Sequence, residues 1–361
     1  MNEPLLSVND LQTHFETSDG TVLAVDGVSF AVERGETVCL VGESGSGKTV
    51  ACESITKLLP MPPGTIVGGR IDFDGRDLTE CSPGQLSDVR GKRIAHVFQN
   101  PQGALDPVYS VGAQLVEAIR LHRDVSKRAA RERGIELLDK VGIPEAATRF
   151  DEYPHEFSGG MKQRVVIAMA LAAEPDLLIA DEPTTALDVT TQAGILDLLN
   201  DIKAERDMAI LFVTHDLGVV AEMADRVVVM YAGKVMERGD VHDVFETPAH
   251  PYTQALLRCL PGRGERRETI GGEFPNPTDP PTGCRFHPRC PHAVEDCLGG
   301  EQPPLEPATG SEPHRAACVF YDDDHDTAVV RKDVADETGR ATTRRSNRGQ
   351  ARSEHATGRE R

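Results

Sequence analysis

Residues 42–49 read Gly-Glu-Ser-Gly-Ser-Gly-Lys-Thr, a complete G-x-x-x-x-G-K-T phosphate loop. Glycines at 42, 45 and 47 let successive backbone N–H groups curl around phosphate oxygens, Lys48 adds a point charge, and the Thr49 hydroxyl can ligate magnesium. Such a loop works only between a strand that delivers it and a helix whose N-terminus attracts anions. Both are written into the sequence: residues 36–41 are apolar and β-rich, and residues 50–59 suit a helix. The run Gly42, Glu43, Ser44, Gly45, Ser46, Gly47, Lys48, Thr49 and Val50 is therefore expected to line a nucleotide phosphate site.

A second anion site follows more than a hundred residues later. Phe157-Ser158-Gly159-Gly160-Met161-Lys162-Gln163 opens a segment, residues 161–173, whose apolar positions suit a buried helix. Ser158, Gly159 and Gly160 thus stand where N–H groups can meet a phosphate. Next, Leu177-Leu178-Ile179-Ala180-Asp181 is an apolar run ending in a carboxylate, and Glu182 comes at once after it. Asp181 can hold magnesium through water, and Glu182, one step past the strand end, can polarise an attacking water. One chain with two phosphate devices points to ligands shared between subunits.

This order of motifs resembles the ATP-binding subunit of ABC transporters over residues 5–320. The resemblance implies an α/β fold: a P-loop NTPase, RecA-like ABC ATPase core with an α-helical subdomain and a small Cys-rich C-terminal extension. It also implies an ATPase in which the Ser158-Gly159-Gly160 signature of one subunit caps the ATP held by its partner's phosphate loop. Glu182 then matches the general base. Gln99, after Ile94-Ala-His-Val-Phe98, matches the glutamine that touches magnesium and whose loop faces the membrane partner. Thr185-Ala186-Leu187-Asp188 matches the loop that crosses the dimer interface. His215, thirty-three residues after Glu182, matches the switch histidine at the γ-phosphate. Phe15 is the aromatic residue placed to stack on adenine, with an apolar core role as its alternative; residues 16–20 look inserted relative to shorter relatives. In these terms Lys48, Gln99, Glu182 and His215 are the catalytic set, and Thr49, Gln99 and Asp181 the magnesium set.

Composition agrees with a large soluble domain plus an appendage. The 361 residues are 39% hydrophobic, ample for a core. No stretch approaches eighteen uninterrupted apolar residues, and the N-terminus has neither a basic nor an apolar leader region, so the chain is expected to be cytosolic unless a partner recruits it. Net charge is −19, and from Tyr321 onward nine acids balance nine bases, so the excess lies upstream. An acidic body disfavours nucleic acid as the main partner. Nine lysines against thirty arginines, with many carboxylates, resemble proteins of a salt-rich cytoplasm.

Up to about residue 244 β-like and helix-like segments alternate, which predicts parallel strands in an α/β sheet. Helical spacing dominates residues 102–160, matching the helical subdomain. The expected domains are residues 1–245 for the ATPase, 246–320 for the extension, and 321–361 for a charged, disordered tail.

Cys284, Cys290, Cys297 and Cys318 are spaced C-x5-C-x6-C-x20-C. Four clustered cysteines in a cytosolic chain favour a metal over disulfides, yet the spacing is not that of paired C-x2-C zinc sites. Together with His250-Pro251-Tyr252 the stretch resembles the extension of the oligopeptide/dipeptide/nickel branch of ABC importers, which implies a [4Fe–4S] cluster. Zinc, with His287 or His292 as a substitute ligand, and no metal at all remain open. Cys39 and Cys52 read as small buried hydrophobes; Cys81 and Cys259 give no signal. The variants Phe157–Arg164 and Asp181–Asp188 resemble the first of the two ATPases such importers carry. The resemblance therefore implies a heterodimer with a second ATPase subunit, two membrane permease subunits, an extracytoplasmic substrate-binding protein, and a peripheral place on the cytoplasmic face of the membrane. The rival is a soluble ABC ATPase of DNA repair or translation, which predicts a heptad insertion, an internal zinc module or a second phosphate loop; the sequence has none of these.

Overall fold

The structure is a computed structural model and describes residues 3–99, 101–185, 187–260, 269–308 and 314–331, with Pro101 and Gln102 described in backbone only. The chain divides into two compact units, one running to Val235 together with Pro275–Pro280, the other from Met236 onward without that segment. Among the described residues no helix is long and apolar enough to cross a membrane.

The first unit holds two sheets. Strands β1 (Leu6–Thr17) and β2 (Gly20–Val32) form a hairpin closed by Ser18 and Asp19, with Leu6 opposite Val32 and Thr17 opposite Gly20. β3 (Thr37–Val41) belongs to the second sheet. β4 (Gly64–Phe73) pairs antiparallel with β1, and β5 (Arg76–Asp77) with β4. This antiparallel sheet corrects the expectation of parallel strands throughout. A two-residue turn cannot join parallel neighbours, because those need a crossover of a dozen or more residues.

The second sheet is the parallel one. It runs β9 (Arg226–Tyr231), β3, β8 (Ala209–Thr214), β7 (Leu177–Asp181), β6 (Ile94–Val97). Every residue of β3, β7 and β8 is buried. Continuous apolar runs are what parallel strands covered on both faces require. The helix Lys48–Ile55 starts directly beyond the phosphate loop; the Ser54 hydroxyl lies 2.9 Å from that of Thr13 on β1, and Thr56 Oγ1 lies 2.8 Å from His96 Nε2 on β6.

Between β6 and β7 the chain is helical, as expected. The helices Val111–His122, Lys127–Lys140 and Gly159–Ala170 begin at Ser110, Ser126 and Ser158, whose hydroxyls accept from the N–H groups of Ala113, Ala129 and Met161. Each serine satisfies one donor that a helix start otherwise leaves open. Gly112 has room for no side chain, since a Cβ there would lie 2.0 Å from the buried Phe150 ring. Glu174 ties this layer to the helix Val189–Arg206. Its carboxylate lies 2.7 Å from Arg123, 2.8 Å from Arg133 and 2.9 Å from Arg206.

The second unit has little regular structure. β10 (Lys234–Asp240) pairs antiparallel through Glu237 and Arg238 with β12 (Arg315–Ala316), which also pairs with β11 (Glu306–Pro307). Glu237 is fully buried, and its carboxylate accepts from Ala249 N (2.8 Å), His250 N (2.7 Å) and the ring of His314 (2.7 Å). A buried carboxylate persists only when partnered in this way. Tyr252, also fully buried, meets the Phe286 ring at 5.2 Å, so the His-Pro-Tyr motif is a packing element.

The tail departs from expectation as far as Arg331. Val330 is fully buried, its carbonyl accepts from Gln254 Nε2 at 3.0 Å, and Arg331 bonds the carbonyl of Ala308. The acids at 322–326 mask the short apolar run Ala328-Val329-Val330, which supplies that anchor. Residues 332–361 lie outside the described residues.

Burial alone pushes Glu174 up, but the hydrogen bonds and charges of Arg123 and Arg206 outweigh it and bring the carboxyl from 4.5 to about 2. A carboxyl depressed on folding contributes stability above its unfolded value, and that contribution is lost as pH falls from 4.5 toward 2. The side chain is 37% exposed, so screening limits the effect to about 1 kcal/mol or less. Glu174→Gln should therefore lower the urea midpoint at pH 7, with the gap to the parent closing as the pH is taken down through this window.

Candidate active site

The loop leaves β3 at Val41 and turns through Gly42 (φ 151°) and Gly47 (φ 100°), conformations that disfavour any side chain. Space forbids one as well. A Cβ on Gly42 would lie 2.1 Å from the Met230 carbonyl oxygen, and one on Gly47 2.2 Å from that of Ala24. The loop is thus pressed against backbone on two sides. Lys48, only 6% exposed, donates to the carbonyls of Gly42 (2.9 Å) and Glu43 (2.9 Å) and to Ser46 Oγ (3.1 Å). Burial lowers its pKa, opposed by the charges of Glu182 and Asp181. The helix start at Gly47 carries no side-chain cap, and such an end is suited to an anion.

Asp181 closes β7 and is 7% exposed. Burial raises its pKa and the neighbouring Glu182 adds to this, against a hydrogen bond from Thr49 and the charge of Lys48. Its Oδ1 is buried with no hydrogen-bond partner among the described residues. A buried carboxylate oxygen in that state is costly unless a cation or water completes it. Thr49, Asp181 and Gln99 offer only oxygen ligands, the donor set magnesium takes, so these residues fit the ion.

Glu182 is held from several sides. Its φ of 46° is unusual for a residue with a side chain, and its N–H donates to Val213 O on β8 (2.9 Å). One carboxylate oxygen accepts from Gln99 Nε2 (2.9 Å) and Thr185 Oγ1 (2.9 Å); the other lies 3.0 Å from His215 Nδ1. Although burial pushes it up, the bonds from His215 and Thr185 and the charges of His215 and Lys48 hold Glu182 below the ordinary carboxylate range. It is an ionised acceptor, the state a general base needs.

Lys48, Thr49, Gln99, Asp181, Glu182 and His215 therefore come together at the ends of β3, β6, β7 and β8, where open α/β sheets place their ligands. Ser158, Gly159 and Gly160 do not join them. Ser158 caps its own helix, and Gly160 lies against Thr191, whose hydroxyl donates to Asp188 (2.7 Å). Ala186 lies outside the described residues. Phe15 sits half-buried on β1 opposite Gly64, with its ring over that glycine. Sequence reasoning assigned Thr185 to the interface loop and missed its bond to Glu182. It also missed Ala24 and Met230, which contribute only backbone and leave no motif.

The four cysteines lie in the second unit, Cys297 at the end of the short 3-10 segment Glu295–Cys297 and the other three in irregular chain. Cys284, Cys297 and Cys318 are buried and Cys290 is partly so. Burial pushes Cys284 and Cys318 up to about 12 and Cys290 up to about 11, with the other cysteines adding to the rise. Backbone N–H groups of Phe286 and His287 bond the Cys284 sulfur, that of His292 bonds Cys290, and that of Phe320 bonds Cys318. The sulfurs thus share one neighbourhood with amides turned toward them. Among the described residues no three His, Cys, Asp or Glu side chains form a metal-holding group.

Residues 25–185 match the ABC transporter family, and residues 236–297 match the oligopeptide/dipeptide transporter C-terminal region. The oligopeptide transport ATP-binding protein OppD of Bacillus subtilis is 51% identical over 83% of this chain and 85% of its own length. This chain belongs to the ATP-binding proteins of ABC transporters. Within that family the dipeptide transport ATP-binding protein DppD of Escherichia coli is 47% identical over 83% of this chain and 92% of its own. Among solved structures, the post-hydrolysis dimer of the ATP-binding cassette MJ0796, bound to ADP and Pi, superposes with TM-score 0.59 at 27% identity, over 65% of this chain and 98% of that one. The cassette cbiO1 of Clostridium perfringens gives TM-score 0.59 at 30% identity, over 68% and 92%. The ABC ATPase fold, the P-loop NTPase core and the ATPase class expected from the motifs are those of this family.

Gly47→Ala tests the loop. The added methyl meets the Ala24 carbonyl, so ATP affinity should fall at least tenfold, by about 1.4 kcal/mol or more, in fluorescent-nucleotide titration.

Proposed function

We propose that this chain is the ATP-hydrolysing subunit of a di- or oligopeptide importer. Glu182 carries the reading: an ionised carboxylate locked by Gln99, Thr185 and His215 beside an intact phosphate loop, in a chain with the oligopeptide/dipeptide C-terminal region. The names of the relatives in Bacillus subtilis and Escherichia coli, oligopeptide and dipeptide transport proteins, support the cargo class.

Two ATPase subunits close over two ATP molecules. In each site Gly42 to Val50 cradle the phosphates, Lys48 offsets their charge, and Phe15 stacks on adenine. Thr49, Asp181 and Gln99 would hold magnesium, which would supply charge neutralisation at the phosphates. Glu182 takes the proton of the attacking water, and His215 holds Glu182 on one side while facing the γ-phosphate. Ser158, Gly159 and Gly160 of one subunit cap the nucleotide of the other, which accounts for their separation from the Glu182 network within a single chain. Closure and reopening pass through the Gln99 loop and the helices of residues 102–160 to two permease subunits, served outside by a substrate-binding protein. The partner is a second, different ATPase subunit, and the pair sits peripherally on the cytoplasmic face of the membrane. The carboxylate-rich, lysine-poor composition supports work in concentrated salt.

In this reading residues 1–245 form the motor and residues 246–320 the extension, where Cys284, Cys290, Cys297 and Cys318 would hold a [4Fe–4S] cluster. Support comes from the four sulfurs gathered in one region and the backbone N–H groups directed at three of them, a common means of stabilising thiolates.

Glu182→Gln should retain ATP binding and lose turnover by about a hundredfold or more in the assembled transporter, measured as phosphate release. Undiminished turnover would remove Glu182 from the base role. Protein purified anaerobically should contain about four irons per chain, and Cys284→Ser should lose them; iron-free protein with bound zinc would replace the cluster by the mononuclear alternative.

A further inference from the structure

We infer that His96 and Thr56 form a brace that positions Gln99 on Glu182, making His96 a positioning residue for ATP hydrolysis. The inference deepens the assignment of Gln99 and Glu182 to hydrolysis and rests on it.

His96 lies on β6, three residues before Gln99, and its register partner Ile179 on β7 lies three residues before Glu182. The two strands therefore deliver Gln99 and Glu182 in step, and Gln99 Nε2 closes onto the Glu182 carboxylate at 2.9 Å. Beyond Val97 the chain leaves the sheet, so backbone pairing with β7 no longer fixes it. A side-chain anchor stands near that exit. His96 Nε2 lies 2.8 Å from Thr56 Oγ1, and the His96 ring stacks on Phe98 with centroids 5.6 Å apart and planes 14° from parallel.

Thr56 caps the C-terminal end of the helix that Lys48 and Thr49 begin, and it is fully buried. Its carbonyl accepts from Arg90 Nε (2.8 Å), and that of Lys57 accepts from Arg90 Nη2 (2.8 Å), so the receiving end of the brace is itself held. Burial and the nearby Arg90 charge push the His96 pKa down to about 4, which keeps the ring neutral. A neutral imidazole and a hydroxyl make a bond insensitive to pH near neutrality. The phosphate-loop helix is thereby tied to the Gln99 strand at one end, while Gln99 meets Glu182 at the other. In this reading ATP is held by the loop backbone, Lys48 and Phe15, so loosening the brace affects the aligned state for hydrolysis and leaves nucleotide binding alone.

The test compares His96→Leu, His96→Gln, Thr56→Val and Glu182→Gln in the assembled transporter, reading kcat and KM for ATP. Leucine keeps bulk without a polar atom, and the glutamine amide nitrogen can reach the place of Nε2. The expected result is a kcat about threefold to tenfold lower for His96→Leu and Thr56→Val at unchanged KM, with recovery in His96→Gln. Thr56→Val, nearly isosteric, carries the test if His96→Leu does not fold. Parent-like kcat in both deletions while Glu182→Gln is inactive would overturn the brace and leave the hydrolysis assignment standing; so would a parallel change of kcat and KM, or no recovery with glutamine. Full turnover in Glu182→Gln would instead overturn the assignment beneath it.

Discussion

Two adjacent carboxylates stand at the end of a fully buried strand, and the cost of keeping charge there governs the surrounding structure. Asp181 and Glu182 raise each other's energy, and water reaches Asp181 poorly. Lys48 answers from the phosphate loop, Thr49 bonds Asp181, and Gln99, Thr185 and His215 converge on Glu182. Side chains from the ends of four strands are thereby gathered by one electrostatic requirement. One oxygen of Asp181 stays without a hydrogen-bond partner among the described residues, the part of this balance that protein groups leave open.

The backbone carries the complementary half. Gly42 and Gly47 take conformations and approaches closed to other residues, and the loop they form rests on the carbonyls of Met230 and Ala24. Its shape thus depends on segments far away in sequence. Lys48 is bonded to the loop's own acceptors, so its ammonium is positioned before any phosphate arrives.

The second unit solves a different problem with the same means. Lacking long elements, it is organised around a fully buried Glu237 that gathers two backbone N–H groups and His314, and around the packing of Tyr252 on Phe286. The N–H of Phe286 in turn bonds the sulfur of Cys284. The packing motif and the cysteine region are therefore one construction.

The local sequence by itself determined the phosphate loop, the Asp181-Glu182 strand end, the helical stretch between β6 and β7, and the family. Each of these is written in contiguous residues whose spacing matches a single period or a single turn. Tertiary structure alone decided the separate antiparallel sheet, the anchoring of Val330, the bond from Thr185 to Glu182, and the tie between Thr56 and His96. Those features join residues remote in the chain, or depend on backbone groups that every residue shares. A pattern along the chain records which side chains are present; only packing records which of them meet.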